Sequence, residues 1–184
     1  MPHARIEAVI FDVVGTLLPC DACNAGSLLS VAAPLLQQLT TEQQHVGLLS
    51  QTPIQLPSAL NTFAHRAAND AQRPAPAPDL PALVAIALES HRLSDCVLVS
   101  GTATGVQAGL NAGMWTVGTA LSGSLDRQAM TGWQQLPSVE QDQLRMQATM
   151  ALLNAGAHYV IDAVDELMPC LVDISQRLQK GERA

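Results

Sequence analysis

A chain of 184 residues, 48% hydrophobic and 14% charged, is long enough to bury a full core as one domain spanning 1–184. Nine basic against sixteen acidic residues, a net charge of −7 and a pI near 5.0 exclude the electrostatic footprint of a nucleic-acid binder or of a protein that docks on anionic membranes. Glu7 and Asp12 interrupt the apolar start, and no apolar run reaches membrane-spanning length, so the expectation is a cytoplasmic protein with no membrane partner.

The first element is the apolar run Ala8 to Asp12, which ends on a carboxylate and turns through Gly15 and Thr16. Leu28 to Leu39 reads as a helix that is kinked or begins late because of Pro34. Val46 to Ser50 is a second strand, and Pro57 to Asn69 reads as a helix with proline in its first turn. The alternating proline and alanine of Ala71 to Pro78 predict an extended surface connection. Leu80 to His91 is a helix with one apolar face, Cys96 to Ser100 a strand, and Thr102 to Ala112 a small, glycine-broken helix. Gly109 and Gly113 suit close helix packing and a left-handed helix end. Met114 to Gly118 is a strand, Gly118 to Pro137 a long loop, and Ser138 to Asn154 an amphipathic helix. His158 to Asp162 is the last strand, Asp165 to Gln179 the last helix, and Gly181 to Ala184 a frayed tail. About five strands alternating with helices predict an α/β fold, a Rossmann-like parallel sheet with helices on both faces.

Asp12 is the candidate nucleophile, because ligands of open parallel sheets bind at the carboxyl ends of the strands and a carboxylate attacks phosphorus. A strand-ending aspartate that simply starts a turn is the plainer reading. Cys20 and Cys23, in Cys-Asp-Ala-Cys spacing, suit a metal or a redox pair, but a second pair of ligands is lacking, and the nearest histidine in sequence is His45. Cys96 and Cys170 read as ordinary buried thiols, His158 and Tyr159 as packing residues, and Met114 and Trp115 as core. The segment Gly101-Thr-Ala-Thr-Gly105 suits an anion at a helix start.

Asp12 with Gly15 and Thr16, Val46-Gly-Leu-Leu-Ser50, Arg73-Pro-Ala-Pro76, Asn111-Ala-Gly-Met-Trp-Thr-Val-Gly118 and Ala155-Gly-Ala-His-Tyr-Val-Ile-Asp162 occur in the order of phosphonoacetaldehyde hydrolases, a branch of the haloacid dehalogenase superfamily that the chain therefore resembles. The resemblance implies a haloacid dehalogenase-like core with Asp12 as magnesium-bound nucleophile. It also implies Ser50, Arg73, Gly15 and Thr16 around the phosphoryl group, and a small phosphorylated or phosphonate ligand. In that family a lysine of a helical cap domain forms a Schiff base with the aldehyde.

The departures lie at the catalytic centre. Only about thirty residues separate Thr16 from Val46, which leaves no room for the cap. Lysine occurs once, as Lys180 near the chain end. Gly101 stands where the family has its second magnesium-binding aspartate, so Asp12 alone is expected to hold magnesium weakly. Val14 stands where ordinary phosphatases of the superfamily place a general acid, and Asp162 is no obvious replacement for the missing metal ligand, since a strand three places from that of Asp12 would stand about 14 Å away. Two readings follow. One is a relative without Schiff-base activity that works by binding or assembly, as a homo-oligomer or with a full-length paralogue. The other is an active hydrolase using Asp12 with altered metal ligation or a partner-supplied residue. Plain structural roles for Ser50, as a helix cap, and Arg73, as a solvated linker residue, stand beside both.

Overall fold

Runs such as Ala8-Val-Ile-Phe and Cys96-Val-Leu-Val are apolar on both faces, the pattern of strands covered by helices on either side. A computed structural model describes residues 5–19, 28–123 and 133–184. Its strands are β1 (Ala8–Asp12), β2 (Val46–Ser50), β3 (Ala64–Ala67), β4 (Cys96–Ser100), β5 (Trp115–Thr119) and β6 (Tyr159–Ile161). They form one parallel sheet in the order β3-β2-β1-β4-β5-β6. Chain order reverses beside β1, and in such sheets the ligand crevice lies at the carboxyl ends on either side of that point.

The helices are α1 (Ala32–Thr41), α2 (Asp79–Ala87), α3 (Ala103–Asn111), the short α4 (Ala120–Gly123), α5 (Ser138–Asn154) and α6 (Leu167–Gln179). Alternation along the strands divides the core. Val9, Phe11, Val97 and Val99 face the apolar stripes of α1 and α6, the latter formed by Leu167, Leu171, Ile174 and Leu178. Ala8, Ile10 and Leu98 face Leu80, Val84 and Ala85 of α2. Val106 of α3 and Ala148 and Leu152 of α5 complete that second side. Gly109 lets α3 approach the sheet, since a Cβ there would stand 2.7 Å from Thr116 and 2.8 Å from Leu98. Gly113, at φ +73°, ends that helix in the left-handed region.

The strands Ala8–Asp12, Val46–Ser50 and Cys96–Ser100 and the helix Ser138–Asn154 have the predicted bounds. The predicted helix over Pro57 to Asn69 is corrected: a 3-10 turn at Ser58–Leu60 leads into β3, which makes the sheet six-stranded instead of five. Local composition favoured helix there. The free edge of β2 instead recruits the segment in register Gly47↔Ala64 to Ser50↔Ala67, which satisfies backbone groups on both. Pro34 does delay the first helix, which begins at Ala32 and carries the proline in its first turn. The helix predicted to end at His91 stops at Ala87, where Glu89 enters the left-handed region at φ 57°. The fifth strand runs to Thr119 and continues into α4, which shortens the predicted loop from Gly118; residues 124–132 of that loop, like Cys20 and Cys23, lie outside the described residues. The last strand is shorter than predicted, and Val164–Glu166 is a 3-10 turn before α6.

Trp115 and Met114 are fully buried, as expected. His158 bonds Thr116 Oγ1 through Nδ1 at 2.9 Å and packs on Trp115 with ring centroids 4.8 Å apart. The Tyr159 hydroxyl donates to Asp173 and accepts from Arg177 Nη1. These are packing roles. At the chain end, Arg177 pairs with Glu182 at 2.7 Å, and Arg183 lies 3.7 Å from Asp95. Among the described residues no helix is long and apolar enough to cross a membrane.

Candidate functional site

β1 delivers Asp12 to the carboxyl edge of the sheet, and Gly15, at φ +79°, allows the chain to fold straight back. Val13 and Leu18 close that turn through backbone bonds, with Leu18 N–H donating to Val13 O at 2.9 Å. Asp12 is 2% exposed. Its Oδ2 accepts a hydrogen bond from Ser100 Oγ at 3.1 Å, across the β1–β4 pairing that sets Phe11 opposite Val99. Its Oδ1 is buried without a hydrogen-bond partner among the described residues. Burial pushes the Asp12 carboxyl up to about 7, against the Ser100 hydroxyl, the Gln51 side chain and the Val13 amide, all of which favour the charged form. At neutral pH the carboxyl is therefore divided between acid and anion.

Ser100 is held in turn. Thr102 caps α3 by accepting from Gly105 N–H at 3.0 Å, and the Ser100 and Thr102 hydroxyls lie 3.3 Å apart. Gly105 leaves no room for anything else, because a Cβ there would stand 2.1 Å from Ser100 Oγ. Thr16 Oγ1 accepts from Gly101 N–H at 3.1 Å, which ties the turn after β1 to the start of α3. Asp12, Gly15, Thr16 and the Ser100–Gly105 segment thus form one hydrogen-bonded unit.

Ser50 ends β2 on the same edge, fully buried. Its Oγ lies 2.8 Å from His65 Nε2, so the hydroxyl is paired across strands and does not cap a helix. Burial holds His65 below the ordinary histidine range, with Asp70 opposing and Arg66 adding to the shift. Arg73 is engaged elsewhere: its guanidinium grips Asp79 at the start of α2, with Nη2 2.6 Å and Nε 3.0 Å from Oδ1, and its side chain is 67% exposed. That pairing raises the guanidinium pKa and lowers that of Asp79. Asn111 Nδ2 donates to Pro76 O at 2.8 Å and anchors the proline-rich connection to α3.

Lys180 is remote. It follows α6, which leaves the carboxyl end of β6 and packs back along the sheet. The nearby Arg183 reaches Asp95, at the amino end of β4, opposite the edge that carries Asp12.

Among the described residues the donors do not fit a magnesium ion. Asp12 supplies one carboxylate with a free oxygen, but glycine at 101 supplies no side chain, and among the described residues no three histidine, cysteine or acidic side chains gather as ligands. Asp162 is engaged by Arg145 at 2.9 Å and stands three strands from Asp12, about 14 Å at the usual strand spacing. Cys96 is buried and its thiol is pushed up to about 11 by that burial; Cys170 is shifted in the same direction, so neither is a reactive thiolate.

Two residues of this arrangement were not singled out from sequence. Ser100 had a signal, since it directly precedes Gly101 at the end of a strand that borders β1. His65 had none, because its segment read as helix and only strand pairing sets it beside Ser50.

No family model matches the chain. It is 44% identical over 92 residues to a phosphonoacetaldehyde hydrolase of Paraburkholderia phytofirmans, covering 50% of this chain and 34% of that protein. It is 37% identical over 117 residues to the phosphonoacetaldehyde hydrolase of Bordetella pertussis, covering 64% and 42% respectively. The chain thus spans less than half the length of these curated relatives. A phosphonoacetaldehyde hydrolase-like protein from Oleispira antarctica has the same fold, with a TM-score of 0.83 at 23% identity over 99% of this chain and 97% of that one.

Proposed function

We propose that this chain, which belongs to the haloacid dehalogenase superfamily as a phosphonatase-like member, binds a small phosphate or phosphonate oxyanion and does not carry out Schiff-base phosphonate cleavage by itself. The observation behind this reading is the state of Asp12: one carboxylate, buried, half of it unpartnered, with glycine where a second acid would complete a metal site. With its pKa pushed up to about 7 by burial, much of the carboxyl is protonated at neutral pH and is a poor nucleophile. In its acid form it becomes a hydrogen-bond donor, which an oxyanion accepts. Schiff-base chemistry needs an amine at the aldehyde, and the amine of Lys180 lies at the other end of the sheet.

Assembly is the second part of the proposal. Val139, Met146, Met150 and Leu153 are exposed along α5, at spacings that keep them to one side of the helix, and a second copy of the chain or a full-length paralogue is the occupant proposed for that side.

Calorimetry with inorganic phosphate and methylphosphonate, beside turnover assays on phosphonoacetaldehyde and a generic phosphate ester with and without magnesium, tests the reading. Binding without turnover is expected. Turnover that disappears in Asp12→Ala would replace it with the active-hydrolase reading, in which a partner residue or an altered metal ligand completes the site; the free Oδ1 of Asp12 favours that alternative.

A further inference from the structure

Ser50 has one hydroxyl proton, and the sheet decides where it can go. The β2–β3 register sets His65 opposite Leu48, so His65 lies diagonal to Ser50 on the same face, and Nε2 comes within 2.8 Å of Oγ. The hydroxyl is fully buried, one strand from Asp12. A buried hydroxyl at this distance has to use the imidazole either as acceptor or as donor. A ring protonated on both nitrogens has no acceptor, so Ser50 must accept from Nε2–H and its own proton turns to another partner. A ring bare at Nε2 holds the proton itself, and Oγ then presents only lone pairs, which an oxyanion avoids.

We propose that His65 is a positioning residue that sets the donor sense of Ser50: the resting neutral ring holds the hydroxyl proton at Nε2, and proton uptake by the ring reverses the bond and frees the Ser50 hydroxyl to donate to a phosphate-type oxyanion beside Asp12. This rests on the oxyanion-site reading above. No covalent step is involved, since one proton enters from solvent and the hydrogen bond reverses. The surroundings suit such a switch. Burial and Arg66 favour the neutral ring, and Asp70, just after β3, favours the charged one. β2 contributes no titratable side chain, and α2 contributes only Asp79, already bonded to Arg73.

The test is nitrogen-15 NMR of the histidine rings, with inorganic phosphate as the probe, in the Asp12→Asn background so that the carboxyl does not titrate in the same range. His65→Gln assigns the signal. Phosphate is expected to raise the His65 titration midpoint and to abolish the bare-Nε2 signature; the effect should persist in Ser50→Thr and vanish in Ser50→Ala. In calorimetry on the otherwise unaltered chain, Ser50→Ala should weaken phosphate on the order of tenfold where the ring is charged, the value of one hydrogen bond to a charged acceptor, whereas His65→Leu, which takes away the acceptor that holds the hydroxyl proton, should not. His65→Gln, whose amide N–H donates at any pH, should likewise bind phosphate without needing proton uptake at this position. An equal midpoint shift in Ser50→Ala and Ser50→Thr, or none in either, overturns the positioning role while leaving the oxyanion site in place. No phosphate binding at any pH by the unaltered chain overturns both.

Discussion

Replacing Asp12 by asparagine is expected to stabilise this protein above neutral pH and to leave it unchanged in acid. The folded chain holds the Asp12 carboxyl at about 7 against an ordinary value near 3.8. Between those values the native state binds the proton that the unfolded state has released, so stability falls as pH rises through that window. The contribution is fully present below about pH 4 and is lost above about pH 7. A rise of about three pH units, at about 1.4 kcal/mol each, sets an upper bound of about 4 kcal/mol. Asparagine has nearly the same shape, has no charge to desolvate, and keeps an oxygen that accepts from Ser100. The expected gain at pH 8 is therefore about 2–4 kcal/mol, or several degrees in Tm for a chain of this size. Urea unfolding of both proteins from pH 4.5 to 8.5 measures it, with curves that meet at the acid end and separate through neutrality. Parallel curves, or a variant that is less stable at pH 8, would refute the claim that burial of an uncompensated carboxylate dominates this site.

Gly105→Ala would drive a methyl group to 2.1 Å from Ser100 Oγ, so a loss of about 1–3 kcal/mol is expected, together with a further rise in the Asp12 pKa as Ser100 is displaced; thermal unfolding and carboxyl carbon-13 NMR report the two effects. Thr102→Ala removes the side-chain cap of α3 and should cost about 1 kcal/mol in urea unfolding. Light scattering should show self-association that is reduced by Met146→Glu with Met150→Glu, two residues that are 61% and 50% exposed; a monomer in both proteins would refute the assembly proposal.

Much of the fold is legible in the chain because its central strands are apolar on both faces and its turns are marked by Gly15 and Gly113. β1, β2 and β4 are legible without their partners because each is a five-residue, largely apolar run, and Ala8-Val-Ile-Phe-Asp12 is followed directly by the turn through Gly15. β3 is the opposite case. Ala64-His-Arg-Ala is short, half-exposed and compatible with helix, and it is a strand only because β2 has an edge to fill.

The candidate site divides along the same line. Asp12, its turn, the glycine at 101 and the distant single lysine can be read directly, because they concern which chemical groups the chain possesses and in what order. Which groups meet is a tertiary matter: Ser100 reaches Asp12 across 88 residues of sequence, His65 reaches Ser50 through strand register, and Arg73 turns to Asp79. The titration of Asp12 belongs there too, since it arises from burial and from the scarcity of donors around Oδ1. Sequence by itself determined that a buried strand ends on Asp12 and that glycine stands at 101; packing decided the protonation of that carboxyl and its partners, because desolvation and hydrogen bonding depend on distances that only the folded chain sets.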